Sequence, residues 1–98
     1  MRPHVLQIGY DATLCTVRSL ILEHEGFEVQ SALGNREGEL LLRTGNYDLA
    51  LVGWSGSFEE RRQMVLTIKR IRPDLPAVAL CFAHLIASKF VKRITARR

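Results

Sequence analysis

The stretch best placed to do chemistry is Asp48-Leu49-Ala50-Leu51-Val52-Gly53-Trp54, in which an apolar run ends in glycine and is followed by Ser55-Gly56-Ser57. A short apolar run bounded by turn residues is the pattern of a strand buried on both faces, as in parallel sheets. In open parallel sheets ligands and reactive groups sit just beyond the carboxyl ends of the strands. Gly53 and Trp54 therefore mark the informative position, and Gly9-Tyr10-Asp11 follows an earlier run, His4 to Ile8, in the same way. Glycines at strand ends let a small ligand or nucleotide approach the backbone, but neither G-x-G-x-x-G nor a P-loop is present, so that reading has little support. Asp11 and Asp48 are the only acids near strand ends, and Asp48 precedes its strand instead of following it.

The other reactive residue types are scattered. His4, His24 and His84 have no acid–base partner at a telling spacing, and Ser55 and Ser57 read as turn residues. Cys15 and Cys81 lie far apart in apolar surroundings. Two cysteines alone cannot build a zinc site, and both read as plain buried thiols.

The formal charge of +4 is unevenly placed: Lys89, Lys92, Arg93, Arg97 and Arg98 fall in the last ten residues, and no acid follows Asp74. The basic character describes a tail more than a domain. A basic tail attracts nucleic acid or an acidic membrane surface, and it also suits the C-terminal end of a helix, whose dipole favours cations. No apolar run approaches the roughly 20 residues of a membrane span. The N-terminus leads straight into a strand-like run, so no signal peptide is read and the cytoplasm is the expected location.

The elements that must position these residues alternate. His4 to Ile8 reads as a strand. Asp11 then caps a helix carrying Leu14, Val17, Leu20, Ile21 and His24 as its apolar stripe, with Arg18, Ser19 and Glu23 outside it. Gly26 ends that helix in the left-handed conformation. Phe27 to Ala32 alternates as a second strand. A helix over 36–43, capped by Asn35, is expected to be short because Gly38 weakens it by about 1 kcal/mol relative to Ala. Asp48 to Val52 is the third strand. Phe58 to Ile71 is a helix with Phe58, Met64 or Val65, Ile68 and Ile71 inward, and Pro73 stops it. Ala77 to Phe82 is the fourth strand, and residues 84–98 form a basic amphipathic helix with Leu85, Ile86, Phe90 and Ile94 on one side. Alternation of this kind implies a single α/β domain over 1–98, with a parallel sheet and helices on both faces.

Four pieces in order, Gly9-Tyr10-Asp11, Glu25-Gly26-Phe27-Glu28-Val29, Tyr47 to Gly53, and Ile71 to Leu80, resemble the receiver domain of bacterial response regulators over about residues 4 to 84. The resemblance implies a flavodoxin-like (CheY-like) sheet, ordered 2-1-3-4 over the four strands evident here. It also implies phosphoryl transfer from a histidine kinase to an aspartate at the end of the third strand, beside a magnesium ion. Carried over residue by residue, the acceptor falls on Gly53 and the acidic pair on Gly9 and Tyr10, leaving only Asp11 next to it. The Thr or Ser that senses the phosphoryl group falls on Cys81, and the lysine of a fifth strand has no counterpart. Gly53 has no side chain with which to attack phosphorus, and magnesium wants hard carboxylate oxygens. The resemblance thus implies a degenerate receiver with no enzymatic activity, no cofactor and no metal, in which Tyr10 and Trp54 either lie on the surface loop or fill the place of the ion.

A receiver of the usual length continues through a fifth strand and helix. Without them part of one sheet face and the edge at strand four would be bare, and such surfaces mark association sites. The expected role is protein–protein interaction in two-component or phosphorelay signalling, with a protein partner or a second copy. Trp54, Phe90, Lys89, Lys92 and Arg93 are the surface residues most open to it. The alternative is a nucleic-acid-binding accessory protein acting through the basic C-terminal helix, although no helix-turn-helix pattern is present and Phe90 is the only aromatic among the tail's basic residues.

Overall fold

A computed structural model gives the structure and describes residues 2–80. Seven elements follow one another: β1 (His4–Gly9), α1 (Ala12–His24), β2 (Glu28–Leu33), α2 (Asn35–Thr44), β3 (Leu49–Val52), α3 (Phe58–Ile71) and β4 (Ala77–Ala79). The strands form one sheet in the order β2-β1-β3-β4. All pairings are parallel, with Val5 opposite Val29 and Leu49, and Leu51 opposite Val78. This is the architecture and strand order expected from the sequence.

Strand alternation divides the core in two. Val5, Leu49 and Leu51 join Leu22 of α1, Phe27 and Leu80 on one face. Leu6, Ile8, Ala50 and Val52 join Leu42 of α2 with Met64 and Ile68 of α3 on the other. All four residues of β3 are buried. Burying each of its leucines contributes about 1.5–3 kcal/mol, which makes this short strand a strong anchor for the loop beyond it.

Local signals account for most boundaries. Asp11 caps α1, its carboxylate accepting from Leu14 N at 3.0 Å. Gly26 follows the helix at φ 98°, where any other residue would be strained. Ser57 is not merely a turn residue. Its Oγ accepts from Glu60 N at 3.1 Å while Glu60 Oε1 accepts from Ser57 N at 3.2 Å. That is a capping box, and the spacing Ser57-x-x-Glu60 is its sequence signature.

Several expectations are corrected. The N-cap of α2 is Gly34, and Asn35 is the first helical residue, with its side chain used elsewhere. The helix runs ten residues despite Gly38, because Gly38 is buried where α2 meets the sheet: a β-carbon there would stand 2.7 Å from Ile8 Cγ1. Asp48 precedes β3, and its carboxylate accepts from His4 N at 2.8 Å, joining the starts of β1 and β3. Phe58 is 75% exposed, not inward. It precedes Met64 by six residues, which turns it about 120° off the buried face.

The largest correction concerns α1. Its buried residues are Cys15, Arg18 and Leu22, while Val17, Leu20 and Ile21 of the expected apolar stripe are 48%, 62% and 38% exposed. The reason lies beneath the helix. β1 presents Gln7 to α1, fully buried, and a buried amide costs several kcal/mol unless it is hydrogen-bonded. The polar side of α1, together with Ser31 of β2, satisfies it. Gln7 Nε2 lies 2.8 Å from Cys15 O, 2.7 Å from Ser19 Oγ and 2.9 Å from Ser31 Oγ, and Arg18 Nη1 donates to Gln7 Oε1 at 3.0 Å.

Candidate functional site at the strand ends

The parallel ladder carries past the named strands and brings their ends together. Gly34 N donates to Gly9 O, Gly53 N to Ile8 O and Leu80 N to Val52 O, all at 2.8–2.9 Å. Gly9, Gly53 and Leu80 thus line up at the carboxyl edge of the sheet. Arg61 of α3 ties two of them: its Nε donates to Gly53 O at 2.8 Å and its Nη2 donates to Leu80 O.

Gly9 and Gly53 both turn their α-carbons toward α1. A β-carbon at residue 9 would stand 1.9 Å from Cys15 Sγ, so this thiol already fills the place a side chain would take. A β-carbon at residue 53 would stand 3.3 Å from Arg18 Nη1 and 3.4 Å from both Gly9 Cα and Ile8 O. The group facing Gly53 is therefore a guanidinium, and that arginine is only 9% exposed. Burial pushes the Arg18 pKa down and the Cys15 pKa up, the latter opposed by the charge of Arg18.

On the other side of the edge, Tyr10 is half-buried, with Gly56 against its ring. Its Oη donates to Asn35 Oδ1 at 2.6 Å, and Asn35 Nδ2 donates to Glu60 O at 2.8 Å. Desolvation, and then the charge of Glu60, push the Tyr10 phenol up to about 12, with Arg61 opposing. Trp54 packs against the α1-side core, and its buried Nε1 has no acceptor among the described residues. Asp11 sits beside the edge with its carboxylate engaged as the cap of α1.

The strand ends thus gather Gly9, Tyr10, Asp11, Gly53 and Trp54 in one region. Cys81, Lys89, Phe90, Lys92 and Arg93, together with the expected helix over 84–98, lie outside the described residues. Arg18 and Arg61 are the residues that sequence reasoning missed. A usable signal existed: Gln7 is a lone polar residue in an otherwise apolar strand, and a covering helix must then supply polar side chains as partners, as Arg18 and Ser19 do.

No family model matches the chain, and no curated protein matches it. Solved structures do. The chain is similar to a CheY-like response regulator receiver domain protein from Methanospirillum hungatei, with a TM-score of 0.75, 23% identity, and coverage of 95% of this chain and 75% of that one. The receiver domain of the hybrid histidine kinase CckA gives a TM-score of 0.78 at 13% identity, covering 95% and 96% of the two chains. The response regulator TrrA of Thermotoga maritima, solved with Mg(2+)-BeF, gives 0.74 at 19% identity, covering 94% and 79%. TrrA has also been solved in complex with the histidine kinase ThkA. At these identities the likeness defines the fold: the chain has the CheY-like receiver fold.

The magnesium in the TrrA structure can be tested against the residues present here. Magnesium takes near-octahedral oxygen ligands, usually with one or two carboxylates. Among the described residues no group of three or more His, Cys, Asp and Glu side chains stands close enough to hold a metal ion. Among the described residues Asp11, the carboxylate beside the strand ends, is engaged as the cap of α1, and a guanidinium faces Gly53. Among the described residues no helix is long and apolar enough to cross a membrane.

Proposed function

We propose that the chain is a receiver-like signalling module of two-component or phosphorelay type that acts by protein–protein contact and transfers no phosphoryl group. The observation that carries this reading is Gly53, which has no side chain to receive phosphorus and is faced by Arg18. In this reading Gly53 is the lost acceptor position, Gly9, Tyr10 and Asp11 the degenerate acidic pocket, and Cys81 the replaced switch residue. The domain spans 1–98 and works in the cytoplasm. Its contact surface includes the outer face of α1, where Val17, Leu20 and Ile21 are exposed side by side. A clustered apolar face of this kind is suited to association.

Incubation with magnesium and a small phosphodonor, followed by intact-mass measurement, is expected to leave the mass unchanged. A phosphoryl adduct would overturn the reading. Light scattering across a concentration range identifies the occupant of the α1 face. A dimer that Leu20→Glu converts to a monomer assigns the face to a second copy, and a monomer throughout excludes a second copy and leaves the face to this chain's own C-terminal segment or another protein. The nucleic-acid alternative rests on tail residues outside the described region, and no feature of the strand ends favours it.

A further inference from the structure

We propose that Arg18 is the built-in cation of the strand ends, placed where a carboxylate at residue 53 would need a counter-charge and standing in for a metal ion there. The inference rests on the reading above only in taking residue 53 as the acceptor position.

Arg18 is buried, and its only hydrogen bond among the described residues is to the neutral amide oxygen of Gln7. It forms no ion pair among the described residues. A buried cation without a counter-charge is costly, and an apolar residue of similar size would fill the same space at less expense. The cation is nevertheless held by a constructed support. Three acceptors, Cys15 O, Ser19 Oγ and Ser31 Oγ, surround Gln7 Nε2. They fix which way the amide points, so Gln7 Oε1 is aimed at Arg18.

The guanidinium in turn reaches the space that a side chain at residue 53 would enter, at 3.3 Å. Arg61 occupies the carbonyl side of the same residue. Two guanidinium groups flank residue 53 directly. A carboxylate placed there would find its counter-charge in the protein, with no need for a divalent ion.

The geometry allows that carboxylate to be supplied in cis. The only glycines with positive φ are Gly26 and Gly34 among the described residues, so a side chain at 53 meets no left-handed strain. Its β-carbon would make tight contacts of 3.3–3.4 Å, the nearest of them to a flexible arginine tip.

The experiment is Gly53→Asp, with the introduced carboxyl titrated by NMR and magnesium added while the fluorescence of Trp54, the chain's single tryptophan, is followed. The expected result is a proton affinity tenfold or more below that of an ordinary aspartate, as next to an arginine. Millimolar magnesium should cause no change in Trp54 emission. In Gly53→Asp/Arg18→Gln the proton affinity should rise back toward the ordinary range. A carboxyl in Gly53→Asp that titrates in or above the ordinary range, or magnesium binding with Arg18 in place, overturns the proposal. The titration of Gly53→Asp decides it even where the double variant does not fold. A phosphoryl adduct on the wild-type chain would sink the functional reading while leaving this pairing intact, so the two failures are distinguishable.

Discussion

Replacing Gln7 by Leu tests the support beneath the strand ends. The substitution keeps the approximate volume but removes the only hydrogen-bond acceptor that Arg18 has among the described residues, at 3.0 Å. A hydrogen bond to a charged group contributes about 1.5–3 kcal/mol, and a buried group left unpaired loses at least that. On the Nε2 side the loss is smaller. Ser19 Oγ and Ser31 Oγ are 3.0 Å apart and keep each other as partners. Burying Leu in place of an amide returns about 1 kcal/mol of transfer free energy. The net expectation is a destabilisation of about 2 kcal/mol, or about 10 °C in Tm for a domain of this size. Urea unfolding followed by Trp54 fluorescence and circular dichroism measures it. Because removing both partners of a buried polar pair is nearly neutral, Gln7→Leu/Arg18→Met should recover most of the loss. If Gln7→Leu is as stable as wild type, or if the double variant is no better than Gln7→Leu alone, then the Gln7–Arg18 contact does not set the face that α1 presents to the sheet.

Two further outcomes follow from the same structure. Helix propensity favours Gly38→Ala by about 1 kcal/mol, but the new methyl would meet Ile8 Cγ1 at 2.7 Å and Met64 Sδ at 3.2 Å in the core. Overpacking costs about 1–3 kcal/mol, so a lower urea midpoint is expected, and because Ile8→Ala removes the atoms in the way, the losses of the two substitutions should be less than additive in Gly38→Ala/Ile8→Ala. Tyr10 should ionise only near pH 12 in the native protein, against an ordinary value of 10. The unfolded chain releases that proton first, so stability is unaffected below pH 10 and falls as pH rises from 10 to 12. Tyr10→Phe should flatten that part of the stability–pH profile.

The sequence by itself determined the elements and their order. Local signals carried that much: Asp11 and Gly26 bracket α1, Phe58 and Ile71 bound α3 as expected, and the apolar runs of β1 and β3 are buried strands. It also placed Gly9, Tyr10, Asp11 and Gly53 together at one edge, because parallel strands joined by helices bring their carboxyl ends to the same side.

What only the tertiary structure decided is which side of each helix looks inward. On α1 the residues Val17, Leu20 and Ile21 formed the better apolar stripe, yet Cys15, Arg18 and Leu22 are buried. A helix read alone is judged by the water it should avoid, whereas α1 is set against a strand whose buried amide must be paired. Gly38 shows the same limit: propensity counts it as a weakness, and it is the residue that lets α2 approach Ile8. The guanidinium at Gly53 follows from both conditions at once, since a residue assigned to the surface becomes the strand-end cation only when Gln7 turns the polar side of α1 toward the sheet.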